Sequence, residues 1–288
     1  MKNSVIKIIS FLIPLIIVSL ITKLTIPLRE SEIIFSKGVG VFVIFLLISF
    51  SSYVLYKVFS NKINPIFLSM SMLIGTSYSV LPKALAASAK FSIKIAPYYL
   101  ILIFAVFFGY LYFKRKKNKY LLITALIPLV FSLGIYDLWV HKIEYGNWTG
   151  ETKETSIANF SFINQNKNKV TNESLYGKTV LLDFWFINCL PCWKKFPKLQ
   201  KLYDRYKNNP NIEIYAVNRP MRQDKTNAWI DRIKQKKYSF PVLKSDQETL
   251  DKLNIYKYPT VVILNKKGEL VLMGEIEEAE KKLASIQP

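Results

Sequence analysis

Cysteine and histidine are scarce in this chain of 288 residues, which has two cysteines, Cys189 and Cys192, and a single histidine, His141. A closed structural zinc site takes four nitrogen, sulfur or oxygen ligands, most often cysteine and histidine. Since the chain has too few of these residues, the sequence argues against such a site. We expect neither a metal ion nor another cofactor.

The two cysteines lie together as Cys-Leu-Pro-Cys, directly after an apolar run at residues 179–187. A thiol pair two residues apart, where a predicted strand gives way to a helix, is typical of thiol-disulfide redox chemistry. A purely structural disulfide is the first alternative, but so short a loop gains little stability from closure. A peroxiredoxin is the second, but it would need threonine at the position of Phe186. We therefore predict a redox-active pair.

Acidic residues are half as common as basic ones, 20 against 40, while 51% of the chain is hydrophobic. No recognised nucleic-acid-binding motif accompanies the positive charge, so we expect no nucleic-acid partner. A composition that is both hydrophobic and positively charged instead indicates a membrane part joined to a globular part. Residues 1–140 contain 15 basic and 3 acidic residues, and the remainder contains 25 and 17.

Charged residues are absent from five long stretches of the first half. A membrane helix needs roughly 20 mostly apolar residues, and we predict spans near residues 8–22, 38–56, 63–82, 95–113 and 120–136. Polar residues dilute the third stretch, for which a re-entrant or interfacial segment is the alternative. The first stretch lacks a small-residue cleavage site, so we interpret it as a retained helix rather than a signal peptide.

A basic cluster separates the fourth and fifth predicted spans, and short basic loops stay in the cytoplasm. The fifth span should therefore end on the other side of the lipid bilayer, which makes everything after about residue 141 extracytoplasmic. The cluster consists of Lys114, Arg115, Lys116, Lys117 and Lys119.

The predicted organisation is a transmembrane domain at residues 1–140, a polar linker at 141–157 and an α/β domain at 158–288. Strands that alternate with helices in the last part indicate a central mixed sheet. We predict strands at 159–163, 169–171, 179–186, 211–217, 260–264 and 269–273, helices at 191–208, 226–236 and 248–253, and a closing helix that ends at 286.

The run from Gly177 to Cys192, Gly-Lys-Thr-Val-Leu-Leu-Asp-Phe-Trp-Phe-Ile-Asn-Cys-Leu-Pro-Cys, is followed later by Tyr-Pro-Thr at 258–260. In order and spacing, these elements resemble the thioredoxin fold, and more narrowly the TlpA/ResA-like thiol-disulfide oxidoreductases. Asn-Phe-Ser-Phe at 159–162 and Lys-Lys-Gly-Glu-Leu at 266–270 strengthen the resemblance, which covers residues 158–286. The membrane half resembles no family that we can name. The resemblance implies a cis Pro259 facing the cysteines and a substrate contact at Tyr258.

A helix that begins at the cysteines favours thiolate over thiol on Cys189, because its N-terminal N–H groups and its dipole stabilise negative charge. We predict that Cys189 attacks a disulfide and that Cys192 releases the product. Asp183 lies in an apolar strand and is a candidate proton relay, with a buried carboxyl without catalytic duty as the alternative. The expected substrate-binding residues are Trp185, Pro191, Tyr258, Pro259 and Thr260.

The sequence thus predicts a multi-pass enzyme of the bacterial cytoplasmic membrane whose extracytoplasmic thioredoxin-like domain reduces selected protein disulfides. Disulfide formation or isomerisation is an alternative within the same chemistry. A membrane sensor or assembly factor gated by its redox pair is an alternative outside it. Because residues 1–140 contain no cysteine, a separate membrane or extracytoplasmic electron donor or acceptor must service the dithiol.

Overall fold

Long apolar runs fold into helices because a helix satisfies the backbone N–H and C=O groups within one segment. The computed structural model describes residues 2–30, 36–86, 89–115, 119–157, 159–225 and 227–286. The chain divides into two units, Met1–Ile143 and Glu144–Pro288. The first half contains the helices α1 (Lys2–Glu30), α2 (Lys37–Phe59), α3 (Pro65–Ala86), α4 (Ala89–Lys114), α5 (Lys119–Val130) and α6 (Tyr136–Tyr145).

Within the described residues, four helical segments are long and apolar enough to cross a membrane: Ser4–Pro27, Lys37–Phe59, Ile93–Lys114 and Ala125–Tyr145. They correspond to the first, second, fourth and fifth predicted spans. The third predicted span falls in α3, whose apolar stretch is shorter, Pro65–Tyr78. The helical first half is therefore confirmed, with four to five apolar helices. Two lysines of the predicted basic loop, Lys116 and Lys117, lie outside the described residues.

The helical unit has an apolar core and an apolar outer surface. An outer surface of this kind is typical of helices surrounded by lipid. The core includes Val41, Ile44, Phe45, Tyr98 and Leu102, while Ile8, Leu20, Phe50, Ile66 and Leu100 are exposed.

The start of α2 packs closely against the last helical segment of the unit. A π-helical turn, Phe131–Ile135, separates α5 from α6. One carboxylate oxygen of Asp137 accepts a hydrogen bond of 2.9 Å from the N–H of Gly38. A Cβ atom on Gly38 would overlap the carbonyl oxygen of Ser132. Only glycine permits this approach of the two backbones.

The second unit is built on one sheet of eight strands in the order β1-β8-β7-β4-β5-β6-β2-β3. The pairs β4/β5 and β5/β6 are parallel and the other pairs are antiparallel. The mixed central sheet is thus confirmed. The strands are β1 (Glu151–Thr155), β2 (Ser161–Asn164), β3 (Lys169–Thr171), β4 (Thr179–Trp185), β5 (Ile212–Asn218), β6 (Val242–Lys244), β7 (Thr260–Leu264) and β8 (Leu270–Gly274).

Helices cover both faces of this sheet. On one face, Leu181 and Trp185 of β4 join a core with α7 (Leu190–Tyr206), α8 (Ala228–Gln235) and α10 (Ile276–Ile286). On the other face, alternate residues of β4 such as Phe184 join a core with the short helix α9 (Gln247–Lys252). All seven residues of β4 are buried, so this strand provides a rigid support for the residues that follow it.

Two strands were not predicted from the sequence. Strand β1 lies within residues 141–157, the segment predicted to be a linker, and pairs with the edge of β8. Strand β6 has three residues and bridges β5 and β2. The hairpin of β2 and β3 is confirmed by its antiparallel pairing.

Candidate active site

The two cysteines lie at the junction of β4 and α7. The chain turns after the strand, and the N–H of Cys189 donates a hydrogen bond of 3.0 Å to the carbonyl oxygen of Phe186. Cys189 caps α7, since its Sγ accepts a hydrogen bond of 3.2 Å from the N–H of Cys192. Pro191 lies in the first turn, where its missing N–H removes no helical hydrogen bond.

The structure contains the dithiol in its oxidised form, with a disulfide between Cys189 and Cys192 and a Cα–Cα distance of 5.3 Å. Only 2% of Cys189 and none of Cys192 is exposed. Leu190, between them, is 65% exposed. When the bond is reduced, the N-terminal N–H groups and the helix dipole stabilise a thiolate at the cap position. The arrangement therefore favours Cys189 as the nucleophilic sulfur.

Aromatic rings support the disulfide from within the domain. The ring of Trp185 is fully buried, and its centroid lies 5.3 Å from those of Trp193 and Phe196, both in edge-to-face contact. Trp193 donates its indole N–H to the carbonyl oxygen of Ile187 at 2.7 Å. These contacts fix the turn that presents Cys189. Trp185 acts on the site through packing, because its ring has no exposed surface.

The Tyr-Pro-Thr element begins at the end of a loop and enters β7. The peptide bond between Tyr258 and Pro259 is cis, as the resemblance implied. Thr260 is paired with Phe184 of β4, which brings the loop beside the end of the strand that leads to the cysteines. The side chain of Thr260 is buried and donates to the carbonyl oxygen of Lys257 at 2.8 Å. Tyr258 contacts Phe186 edge to face at 5.5 Å.

Asp183 lies in the middle of the buried strand β4, on the face that packs against α7. Its side chain is 1% exposed, and neither carboxylate oxygen has a hydrogen-bond partner among the described residues. Desolvation raises the pKa of Asp183 to about 8, although the charge of Lys195 opposes the rise and that of Glu277 adds to it. The carboxyl is therefore mostly protonated at neutral pH.

A charged cluster around Lys195 acts electrostatically on Asp183. Lys195 follows Cys192 by one helical turn, and its Nζ lies 2.9 Å from Glu277 and 3.7 Å from Glu275. The other carboxylate oxygen of Glu277 is buried and has no hydrogen-bond partner among the described residues. Both glutamates come from the segment that forms the start of α10. The cluster places one cation and a second carboxylate in the electrostatic environment of Asp183.

Three residues of this site were missed by the sequence analysis: Lys195, Glu277 and Arg219. The spacing of Lys195 from Cys192 is a signal that could have found the first. Glu277 and Arg219 come from distant segments and have no local signal. Arg219 follows β5, and its N–H donates to the carbonyl oxygen of Trp185 at 2.8 Å.

The site lies within a region that matches a known family. The profile of a family described as Thioredoxin-like matches residues 177–270. The thiol-disulfide oxidoreductase ResA of Geobacillus kaustophilus is 32% identical over 185 residues, which cover 60% of this chain and 99% of the relative. ResA of Bacillus subtilis is 28% identical over 159 residues, which cover 55% of this chain and 85% of that relative.

Similar solved structures include the crystal structure of StoA from Bacillus subtilis. It is 25% identical, and the alignment covers 45% of this chain and 98% of that one with a TM-score of 0.38.

Proposed function

Because the chain belongs to the ResA family of thiol-disulfide oxidoreductases, we propose that it is a membrane-anchored enzyme that reduces selected protein disulfides outside the cytoplasm. The observation that carries the proposal is the dithiol at the N-terminus of α7, beside the Tyr258–Pro259 loop. A nucleophilic sulfur at a helix start suits attack on a disulfide in a protein segment.

The reaction transfers two electrons from the dithiol to the substrate. The Cys189 thiolate attacks one sulfur of the substrate disulfide, so a mixed disulfide forms and the other substrate sulfur leaves as a thiolate that takes up a proton. Cys192 then attacks the sulfur of Cys189, releases the second substrate thiol and closes the disulfide of the domain. Pro191 holds the first turn of α7 in place while the bonds exchange.

Proton transfer falls to Asp183. Before Cys192 can attack, its thiol must lose a proton, and the ionised form of Asp183, which is the minor form at neutral pH, would accept it on the sheet face under α7. A pKa of about 8 allows Asp183 to take up and release protons near neutral pH. The Lys195–Glu277 pair adds one positive and one negative charge to the electrostatic environment of this carboxyl.

Substrate binding involves the exposed side of the same junction. We assign the substrate chain to the edge formed by Tyr258 and Pro259, with the buried residues Thr260 and Trp185 supporting the site from within the domain. The exposed side chain of Leu190 adds an apolar contact next to the disulfide.

The proposed location depends on the first half of the chain. Residues 1–140 would be the membrane domain and residues 158–288 the catalytic domain. Residues 141–157 would join them, and β1 within this segment is part of the sheet of the catalytic domain. The apolar helices support anchoring, and the basic loop between the last two spans supports an extracytoplasmic dithiol. Because residues 1–140 contain no cysteine, they cannot pass electrons to the disulfide by thiol exchange, so a separate protein must reduce it back to the dithiol.

Substrate trapping tests this function in cells that produce the full chain with Cys192→Ser. This variant forms the mixed disulfide through Cys189 but lacks the sulfur that resolves it, so we expect captured proteins that a reductant releases. The matched control is Cys189→Ser, which lacks the attacking sulfur and should capture none. Equal capture by the two variants would contradict the mechanism.

The captured proteins also test direction and location. In cells that lack this chain, a substrate of a reductase should accumulate in its disulfide form. Accumulation of the dithiol form would instead support the oxidising alternative. Capture of cytoplasmic proteins alone would overturn the proposed orientation.

A further inference from the structure

An arginine lies over the ring of the tyrosine that borders the dithiol. The guanidinium carbon of Arg219 is 5.7 Å from the centroid of the Tyr258 ring, within the range of a cation–π contact. Its backbone N–H is bound to the carbonyl oxygen of Trp185 at the end of β4. The sheet therefore determines the position of the arginine in the same way as it determines that of the cysteines.

A continuous path of contacts links this arginine to the nucleophilic cysteine. The ring of Tyr258 meets the ring of Phe186 edge to face at 5.5 Å, and the carbonyl oxygen of Phe186 accepts the N–H of Cys189. Arg219 thus belongs to the rim of the active site, on the side of the cis proline. Ligands commonly bind at this carboxyl-terminal edge of parallel strands.

The guanidinium has donors to spare. No carboxylate in the described part of the chain forms an ion pair with Arg219. Within the described part of the chain, its guanidinium donates a long hydrogen bond of 3.4 Å to Gln247 Oε1 and interacts with the Tyr258 side chain. The nearby Asp251 is engaged by the amide of that same glutamine at 2.8 Å.

Asp224, five positions after Arg219 in the sequence, also has a hydrogen-bond partner. Asp224 uses its carboxylate to accept the N–H of Met221 at 2.8 Å, in a segment that also carries Arg222 and Lys225. Basic residues therefore outnumber acidic ones by three to one in residues 219–225.

We propose that Arg219 binds a carboxylate of the substrate protein, so that the enzyme prefers disulfides flanked by aspartate or glutamate. The inference deepens the proposed function and rests on it. A guanidinium has five N–H donors, more than the contacts with Gln247 and Tyr258 use, so a bidentate carboxylate can still bind. The exposed side chain of Leu190 between the two cysteines, at 65% exposure, adds a preference for an apolar residue in the same segment.

Two disulfide-bonded peptides that differ only by glutamate or glutamine beside the reactive cysteine provide the test. We would reduce the dithiol of the full chain in detergent, remove the free reductant, and measure the second-order rate constant for its reaction with each peptide. The wild-type protein should prefer the glutamate peptide by about tenfold, the scale of one charge-assisted hydrogen bond. Arg219→Gln should abolish the preference, and Arg219→Glu should transfer it to a lysine peptide. Arg232→Gln removes an exposed arginine of α8 and should leave the preference intact.

The outcomes separate this inference from the proposed function. Equal rates for both peptides with the wild-type protein, or an equal loss for both with Arg219→Gln, would overturn the role of Arg219 while leaving the oxidoreductase activity in place. A wild-type protein that reduces neither peptide nor a small disulfide would overturn the proposed function together with the inference.

Discussion

Replacing Asp183 by asparagine should change how the stability of the catalytic unit depends on pH. The carboxyl has a pKa of about 8 in the folded, oxidised protein and about 4 in an unfolded chain. Between these values the folded state holds a proton that the unfolded state releases. The contribution of this group to stability is therefore complete below about pH 4 and is lost as the pH rises to about 8.

The size of the effect follows from the difference between the two pKa values. About 4 units correspond to a loss of about 6 kcal/mol over the whole range, and about 4 kcal/mol is lost by pH 7. Asp183→Asn has no proton to hold, so its unfolding free energy should lack this slope. Relative to the wild-type protein, the variant should therefore gain unfolding free energy as the pH rises. The new amide is buried without a hydrogen-bond partner, which lowers the unfolding free energy of the variant by the same amount at every pH. This cost shifts the curve of the variant without adding a pH dependence.

Urea unfolding of the oxidised full chain in detergent, followed by tryptophan fluorescence from pH 5 to 9, measures this difference. Four of the five tryptophans, Trp148, Trp185, Trp193 and Trp229, lie in the unit Glu144–Pro288 and report its unfolding. Asp231→Asn, at an exposed position of α8, is the matched control and should follow the wild-type curve. Parallel curves for wild type and Asp183→Asn would refute the raised pKa.

Two further variants test the packing of the helical unit and the charge near Asp183. Gly38→Ala should lower the unfolding free energy of the helical unit by about 2 kcal/mol, because the new Cβ meets the carbonyl of Ser132. In a thermal melt followed by circular dichroism, Gly134→Ala should lower the melting temperature less than Gly38→Ala, because its Cβ would meet no atom within 4 Å. Equal melting temperatures for the two variants would contradict this. Lys195→Met should raise the pKa of Asp183 further, because the lysine charge opposes that rise. A carbon NMR titration of the carboxyl that shows an unchanged or lower pKa would disprove this role of Lys195.

Elements with a strong local pattern could be predicted from the sequence, and elements that depend on a partner could not. Strand β4 is apolar almost throughout and is buried at every position, as expected for a central strand. Strand β1, Glu-Thr-Lys-Glu-Thr, has four exposed residues out of five. It lacks the alternation of a strand and forms because the edge of β8 offers hydrogen bonds. The three residues of β6 are too few to show any period.

The same distinction applies to the candidate site. The cysteines, Pro191 and the Tyr-Pro-Thr element are short motifs that can be read locally. The contact of Lys195 with Glu277 joins residues 82 positions apart, and the arginine above Tyr258 comes from a different strand end. A sequence pattern shows which face of a helix or strand is apolar. The contacts of Lys195 and Arg219 depend instead on which helices and strands become neighbours in the fold.

The hydrogen bond between Gly38 and Asp137 joins residues 99 positions apart. During translation, the amide at the start of α2 leaves the ribosome long before its carboxylate acceptor has been made. Until then, the N–H of Gly38 must donate its hydrogen bond to water or to another, temporary acceptor. Maturation of the helical half is therefore coupled to completion of its last segment, and a nascent chain that stops short of Asp137 would have its second helix formed but incompletely capped.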